Sequence, residues 1–141
     1  MYLNPNRGYL AGLIVLVLAI HFWAIFSSGY FYIWWLDLLL HFLGGFILGT
    51  ASISFLLPRL EIKNPRPLVL YFFIILGLVS LLGLLWEYFE FLIDFFFANR
   101  GIIPRSQLGL EDTLSDLLMD LLGGAFAHFL FIKHSRSTKN S

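Results

Sequence analysis

The segment Leu68–Trp86 reads LVLYFFIILGLVSLLGLLW and contains no charged side chain. A helix needs about 20 apolar residues to cross a bilayer core of about 30 Å. This segment begins a stretch that stays largely apolar to about residue 98. Three further stretches meet the same requirement, at about 8–28, about 30–57 and about 113–132. The sequence therefore predicts an all-α integral membrane bundle of four transmembrane helices, in a single domain over residues 1–141.

The composition of the whole chain agrees with a membrane protein. Among 141 residues, 59% are hydrophobic and 13% are charged, whereas soluble domains average about 25% charged residues. This balance excludes an ordinary soluble globule and a disordered chain. The net charge of zero leaves no basic surface for nucleic acid. We therefore expect membrane lipids as partners and no nucleic acid, and the composition is compatible with a homo-oligomer.

The basic residues predict the orientation in the membrane. Seven of them fall on one side of the predicted spans: Arg7, Arg59, Lys63, Arg66, Lys133, Arg136 and Lys139. Only Arg100 and Arg105 fall on the other side. Because cytoplasmic loops carry the excess of Lys and Arg, we expect both termini in the cytoplasm. The protein would then be a multi-pass protein of the plasma (inner) membrane, with an outer loop at 99–112 and a cytoplasmic tail at 133–141.

Acidic residues concentrate inside the predicted spans, toward the outer side. The six acids concerned are Asp37, Glu87, Glu90, Asp94, Asp116 and Asp120. The spacing of Asp37 from His41, and of Asp116 from Asp120, is i, i+4, which places each pair on one helix face. A charge at the bilayer centre costs at least about 2.5–3.5 kcal/mol, so such residues face the bundle interior. We expect one acidic cluster that opens outward.

These six acids cannot all be ionised, because no Lys or Arg lies within the predicted spans. Three solutions are open. Some acids hold protons, a metal ion neutralises them, or Arg100 and Arg105 fold in from the outer loop. These two arginines belong either to a solvated loop that faces lipid head groups or to a lid that binds an anionic substrate. The alternative without a ligand is that neutral acids hydrogen-bond one helix to another.

Carboxylates together with one imidazole suit a divalent metal such as Zn, Mn or Mg. The candidate ligands are Asp37, His41, Glu87, Asp116 and Asp120. A bound metal activates water or polarises a phosphoryl or carbonyl group, and Glu87, Glu90 and Asp116 are the candidate catalytic acids and bases. No other cofactor is expected. His21, a lone histidine beside Phe22 and Trp23, is better explained as a packing residue than as a further ligand.

Two stretches of the sequence form a candidate internal repeat. Residues 36–49 read LDLLLHFLGGFILG and residues 115–128 read SDLLMDLLGGAFAH. The alignment pairs Asp37 with Asp116, His41 with Asp120, and Gly44-Gly45 with Gly123-Gly124. The repeat predicts two helical hairpins in parallel orientation. The glycines predict the place where spans 2 and 4 cross, because small residues let helix backbones approach closely.

The order of these motifs resembles known membrane proteins. The motifs are Asp37-x-x-x-His41 with Gly44-Gly45, Trp86-Glu87-x-x-Glu90, and Asp112-Thr113-x-x-Asp116-x-x-x-Asp120-x-x-Gly123-Gly124. They resemble the YjdF-like family of small bacterial inner-membrane proteins and the broader VanZ-like superfamily, over spans 2 to 4. In the VanZ-like pattern Asn usually stands where this chain has Asp120, and Gln often stands where it has Glu90. The resemblance implies a membrane protein connected with the cell envelope.

The leading hypothesis is a VanZ-like membrane protein with an outward-opening acidic, metal-binding pocket that acts on a lipid or lipid-linked envelope substrate. A proton-coupled small transporter and a non-catalytic membrane scaffold are the alternatives. The sequence leaves open whether the protein is an enzyme.

Overall fold

The computed structural model describes residues 7–56, 59 and 67–137. Five α-helices occur there: α1 (Arg7–Ser27), α2 (Gly29–Tyr32), α3 (Leu36–Ala51), α4 (Pro67–Phe96) and α5 (Leu110–Ser137). A π-helical turn, Ser52–Leu56, continues α3, and a short 3-10 turn, Ala98–Arg100, follows α4. Four segments are long and apolar enough to cross a membrane: Gly8–Ser27, Leu36–Leu56, Leu68–Arg100 and Leu110–Lys133. The prediction of an all-α protein with four candidate membrane spans is confirmed.

Two of the predicted span boundaries differ from the structure. The second span begins at Leu36 rather than at about residue 30, because Ile33 leaves the helical conformation with φ of −123° and ψ of 75° and ends α2. A turn at Trp34 and Trp35 then leads from α2 into the second span. The fourth span begins at Leu110 rather than at about residue 113. There Gly109 turns the chain with φ of 132°, and Asp112 Oδ2 accepts a hydrogen bond of 2.9 Å from the Leu108 N–H.

Much of the basic sequence used to predict orientation lies outside the described residues. This applies to Lys63, Arg66 and Lys139, and to the side chains of Arg7 and Arg136. Cytoplasmic placement of the two termini stays a prediction from the distribution of Lys and Arg.

Helices α3 and α5 are in backbone contact at the predicted glycines. A Cβ added to Gly45 would collide with the backbone of Asp120, and one added to Gly123 would collide with the backbone of Phe42. Further along, a Cβ on Gly49 would lie 3.0 Å from that of Ala127. Gly45, Phe46 and Gly49 of α3 meet Asp120, Gly123 and Ala127 of α5 in the same order. The two helices therefore run in the same direction. The predicted glycine crossing is confirmed, and the repeat relation between the two hairpins stays a prediction.

Two apolar clusters flank the acidic residues. One contains Ile53, Tyr71, Ile75, Val79, Ala127 and Phe131, and the other contains Ala24, Ile25, Tyr30, Leu36 and Leu40. Large apolar side chains such as Phe73, Leu84 and Phe129 point outward and are more than half exposed. In a membrane protein this outer surface faces lipid, and the polar groups face the interior.

Candidate metal centre in the helix bundle

Six titratable side chains are buried together in the interior of the bundle, each 2–5% exposed. They are His21 from α1, His41 from α3, Glu87 and Glu90 from α4, and Asp116 and Asp120 from α5. The side chain of Asp37, one turn before His41, is 13% exposed and adjoins them. We call these seven residues the acidic cluster. No Lys or Arg occurs in residues 8–56, 67–99 or 110–132, so no basic residue of the spans offsets the five carboxyl groups.

His41 is the centre of the acidic cluster. Its Nδ1 lies 3.4 Å from Asp120 Oδ2. Its Nε2 lies 3.5 Å from Glu87 Oε1 and 3.8 Å from Asp37 Oδ1. When Nδ1 carries the hydrogen and donates it to Asp120, Nε2 presents a lone pair to the other two carboxyl groups.

Two sets of three side chains are close enough to hold a metal ion. Their ligand atoms lie within 4.8 Å of one another in Asp37, His41 and Asp116, and again in His41, Glu87 and Glu90. Metal–ligand bonds of about 2.0–2.2 Å place neighbouring ligand atoms about 3.0–3.4 Å apart. The distances from His41 Nε2 to Glu87 and Asp37 exceed this by a few tenths of an ångström. The ligand atoms of each set lie within 4.8 Å of one another, so side chains would have to approach by up to about 1.5 Å to share one ion.

Several buried polar atoms of the acidic cluster have no hydrogen-bond partner. They include His41 Nε2, Glu87 Oε1, Glu90 Oε1 and Asp116 Oδ1. An unpaired buried polar group costs about 1–3 kcal/mol, so four such atoms within the acidic cluster destabilise the protein unless a bound species satisfies them. A cation or shared protons would satisfy them.

Asp94 is buried near the acidic cluster but has partners of its own. Its carboxylate accepts hydrogen bonds from the Ser106 N–H at 3.0 Å, the Ser106 hydroxyl at 3.1 Å and the Gln107 N–H at 3.0 Å. The role of Asp94 in the structure is therefore to anchor the 99–109 loop to α4.

Gln107 reaches from that loop into the acidic cluster, which the sequence analysis did not foresee. Its Nε2 donates to Glu87 Oε2 at 3.1 Å and to the Thr113 hydroxyl at 3.0 Å. Glu87 is thus held by one oxygen, and its other oxygen faces His41. A single glutamine in a polar loop carries no sequence signal for this contact.

The two loop arginines lie away from the acidic cluster. Arg105 is exposed and donates to Asn99 Oδ1 at 2.9 Å. Arg100 ends the 3-10 turn and is also exposed. Arg105 lines a second cavity of about 270 Å³ with Asp94 and Gln107. The expected inward folding of the loop is present, but Ser106 and Gln107 make the contacts instead of the arginines.

His21 joins the acidic cluster, although the sequence analysis favoured a packing role. Its Nδ1 lies 2.6 Å from the Tyr30 hydroxyl and 3.7 Å from Glu90 Oε1, and its ring meets Trp86 edge-on at 4.8 Å. Burial raises the pKa of Tyr30, so its hydroxyl keeps its proton and donates to His21. The sequence did hold one sign of this role, because His21 lies in span 1 at about the same depth in the membrane as the acidic residues of the other spans.

A cavity of about 340 Å³ adjoins the acidic cluster between α1, α3 and α4. Asp37, His41 and Asp120 line one part of it, and apolar side chains such as Leu18, Leu48 and Leu82 line the rest. We call this space the interhelical cavity. It gives the cluster access to something larger than a single ion.

Residues 6–137 match the family model described as "Predicted membrane protein (DUF2238)". The chain belongs to the DUF2238 family. This DUF2238 chain is also 34% identical, over 100 residues, to an uncharacterized protein of Thermotoga maritima; the match covers 70% of this chain and 48% of that protein. The chain thus spans about half the length of that relative. No solved structure matches. Membership is consistent with the YjdF-like resemblance, and the four candidate spans agree with a multi-pass membrane protein.

Proposed function

We propose that this DUF2238 protein binds one divalent metal ion inside the bundle and uses it on a lipid or lipid-linked envelope substrate. The observation that carries the proposal is that His41 Nε2, Glu87 Oε1, Glu90 Oε1 and Asp116 Oδ1 are buried without a hydrogen-bond partner. Their residues belong to two sets of candidate ligands that overlap at His41. Acids alone would be weak support. The unpaired imidazole nitrogen adds a ligand that suits a transition-metal cation.

The ligand set follows from the geometry of His41. Both sets of three side chains include His41. Because its Nδ1 faces Asp120 and only Nε2 is unpaired, we infer one ion rather than two. Asp37, Glu87 and Asp116 supply the oxygens. Asp120 binds Nδ1 instead of the ion and orients the imidazole, the usual role of an outer carboxylate at a histidine ligand. This revises the sequence prediction of Asp120 as a direct ligand.

The donor set favours Zn²⁺ or Mn²⁺ over Mg²⁺. Imidazole nitrogen suits transition metals, whereas Mg²⁺ prefers oxygen ligands and keeps several waters. A doubly charged cation would also offset part of the charge of five carboxyl groups in a region without Lys or Arg.

In this proposal the metal supplies a Lewis acid for a phosphoryl or carbonyl group. Glu90 is the candidate general acid or base, because it lies between the ligand set and His21, 3.7 Å from His21 Nδ1. Glu87 and Asp116 would act mainly as ligands. Arg100 and Arg105 are exposed on the outer loop, away from the acidic cluster. In this proposal they bind an anionic head group at the membrane surface. With the termini in the cytoplasm, as the Lys and Arg distribution predicts, the acidic cluster would lie toward the outer face. That position agrees with the sequence resemblance to VanZ-like envelope proteins.

The test is the metal content of protein purified in mild detergent without chelator, measured by elemental mass spectrometry. We expect close to one Zn or Mn per chain, and a large loss in Asp116→Asn. The matched control is Asp112→Asn, the same change one turn away on α5, where the carboxyl group is bonded to the Leu108 N–H. Equal metal in the two variants, or no metal in the parent protein after Zn and Mn are supplied, would overturn the proposal.

A proton-coupled small transporter is the second candidate, because protons shared among the unpaired carboxyl groups would satisfy the same atoms. It predicts proton flux in liposomes that Glu87→Gln abolishes and that chelators do not affect. The scaffold alternative predicts that neutral substitutions in the acidic cluster change stability alone.

A further inference from the structure

The interhelical cavity opens sideways, toward the surface that a bilayer would cover. Ile14 of α1 and Leu82 of α4 line it and are nevertheless 44% and 41% exposed. Both belong to candidate membrane spans. The mouth of the cavity therefore faces hydrocarbon rather than water, and a membrane lipid can reach it without leaving the bilayer.

The cavity is apolar at one end and acidic at the other. Leu48 lies two turns along α3 from His41, which corresponds to about 10 Å, and both line the same space. Asp37 and Asp120 lie with His41 at the polar end. The space is thus complementary to a molecule with a single apolar chain and a polar head.

We propose that the cavity binds the hydrocarbon chain of a membrane amphiphile whose anionic oxygen, from a phosphate or a carboxylate, occupies the open position of the metal. This inference rests on the proposed metal centre and names its substrate class. An apolar cavity of about 150 Å³ holds benzene, so a cavity of about 340 Å³ holds about a dozen carbon atoms. That is one chain, and not the two of a common phospholipid.

The head group has to supply the affinity. A chain that moves from lipid into a protein cavity gains little from the hydrophobic effect, because its surroundings were already apolar. Without a metal, the carboxyl groups of the acidic cluster that stay ionised repel an anionic head. Binding of an alkyl phosphate is therefore expected only in the metal-loaded protein.

The experiment uses the metal-loaded full chain in lipid nanodiscs and dodecyl phosphate with a photoreactive group at the chain end. We expect saturable labelling of cavity residues near Leu48 and Ile14. Unlabelled dodecyl phosphate should compete, and a chelator should reduce the labelling about tenfold. Ile14→Trp with Leu18→Trp narrows the cavity and should have the same effect. The matched control is Val15→Trp with Ala19→Trp, the same spacing on the exposed face of α1, which should label as the parent does.

Metal content of every variant separates the two proposals. Normal metal in the narrowed variant, together with lost labelling, supports the inference. Normal metal with labelling that does not saturate, or that is equal in the narrowed and control variants, overturns it while the metal centre stands. If dodecylamine competes more strongly than dodecyl phosphate, with or without metal, the cavity does not bind an anionic head group. The result would instead indicate a cationic head group.

Discussion

His41 shows how one side chain can organise a buried acidic region. Its two ring nitrogens have different environments: Nδ1 faces Asp120 at 3.4 Å, and Nε2 faces Glu87 and Asp37. Fixing one nitrogen by a hydrogen bond decides which tautomer the other presents. The arrangement divides the carboxyl groups into one that orients the imidazole and others that are free to bind a cation.

This division predicts different outcomes for two neighbouring aspartates. Asp120→Asn keeps an acceptor near His41 Nδ1 but removes the charge, so we expect metal affinity to fall about 10–100-fold while saturating metal still reaches one per chain. Asp116→Asn removes a ligand and should prevent stoichiometric loading. Chelator competition measures both. Identical behaviour of the two variants would contradict the assignment of Asp120 to an orienting role.

Sequence reasoning located most of the acidic cluster at the residue scale, because helical spacing fixes which side chains share a face. It missed Gln107 for a definite reason. The position of that side chain depends on the path of the whole 99–109 loop, which Asp94 fixes through Ser106 and the Gln107 backbone. His21 was underweighted because a lone histidine between aromatic residues has the pattern of a packing residue.

At the scale of the helices, the contact of α3 with α5 sets the position of the acidic cluster. The close approach of the two helices at Gly45 and Gly123 brings His41 of α3 next to Asp120 of α5. The glycine pairs made this contact predictable from sequence. The start of the second span was not predictable, since hydropathy counted the aromatic residues before Leu36 as part of the helix and gave no sign of the break at Ile33.

The crossing predicts that alanine lowers the stability of the protein at a glycine of the α3–α5 contact but not at a glycine outside it. Gly45→Ala places a methyl group against the Asp120 backbone, and such overpacking costs about 1–3 kcal/mol. Gly77→Ala meets no atom within 4 Å and should leave stability unchanged or raise it by up to about 1 kcal/mol, because alanine favours helix. Unfolding in mixed micelles measures both. A Gly45→Ala protein as stable as Gly77→Ala would show that the backbones do not approach so closely.

The whole molecule combines an apolar exterior with a buried charge imbalance. Four candidate spans surround five carboxyl groups and two histidines, and the described spans supply no basic partner among residues 8–56, 67–99 and 110–132. The fold class followed from hydropathy because only a helix satisfies its own backbone in lipid. The side of the membrane on which the acidic cluster opens depends on how the bundle was inserted, which the distribution of Lys and Arg predicts.

The sequence contains no cysteine, so single introduced cysteines can test the orientation without background. Ile102 lies in the 99–109 loop and is 62% exposed. Because only two basic residues lie in this loop region, we expect Ile102→Cys to react in intact cells with a membrane-impermeant maleimide. Lys133→Cys, at an exposed position near the other end of α5, should react only after the membrane is opened. The reverse pattern would place the acidic cluster toward the cytoplasm, and its substrate would then have to come from the inner leaflet.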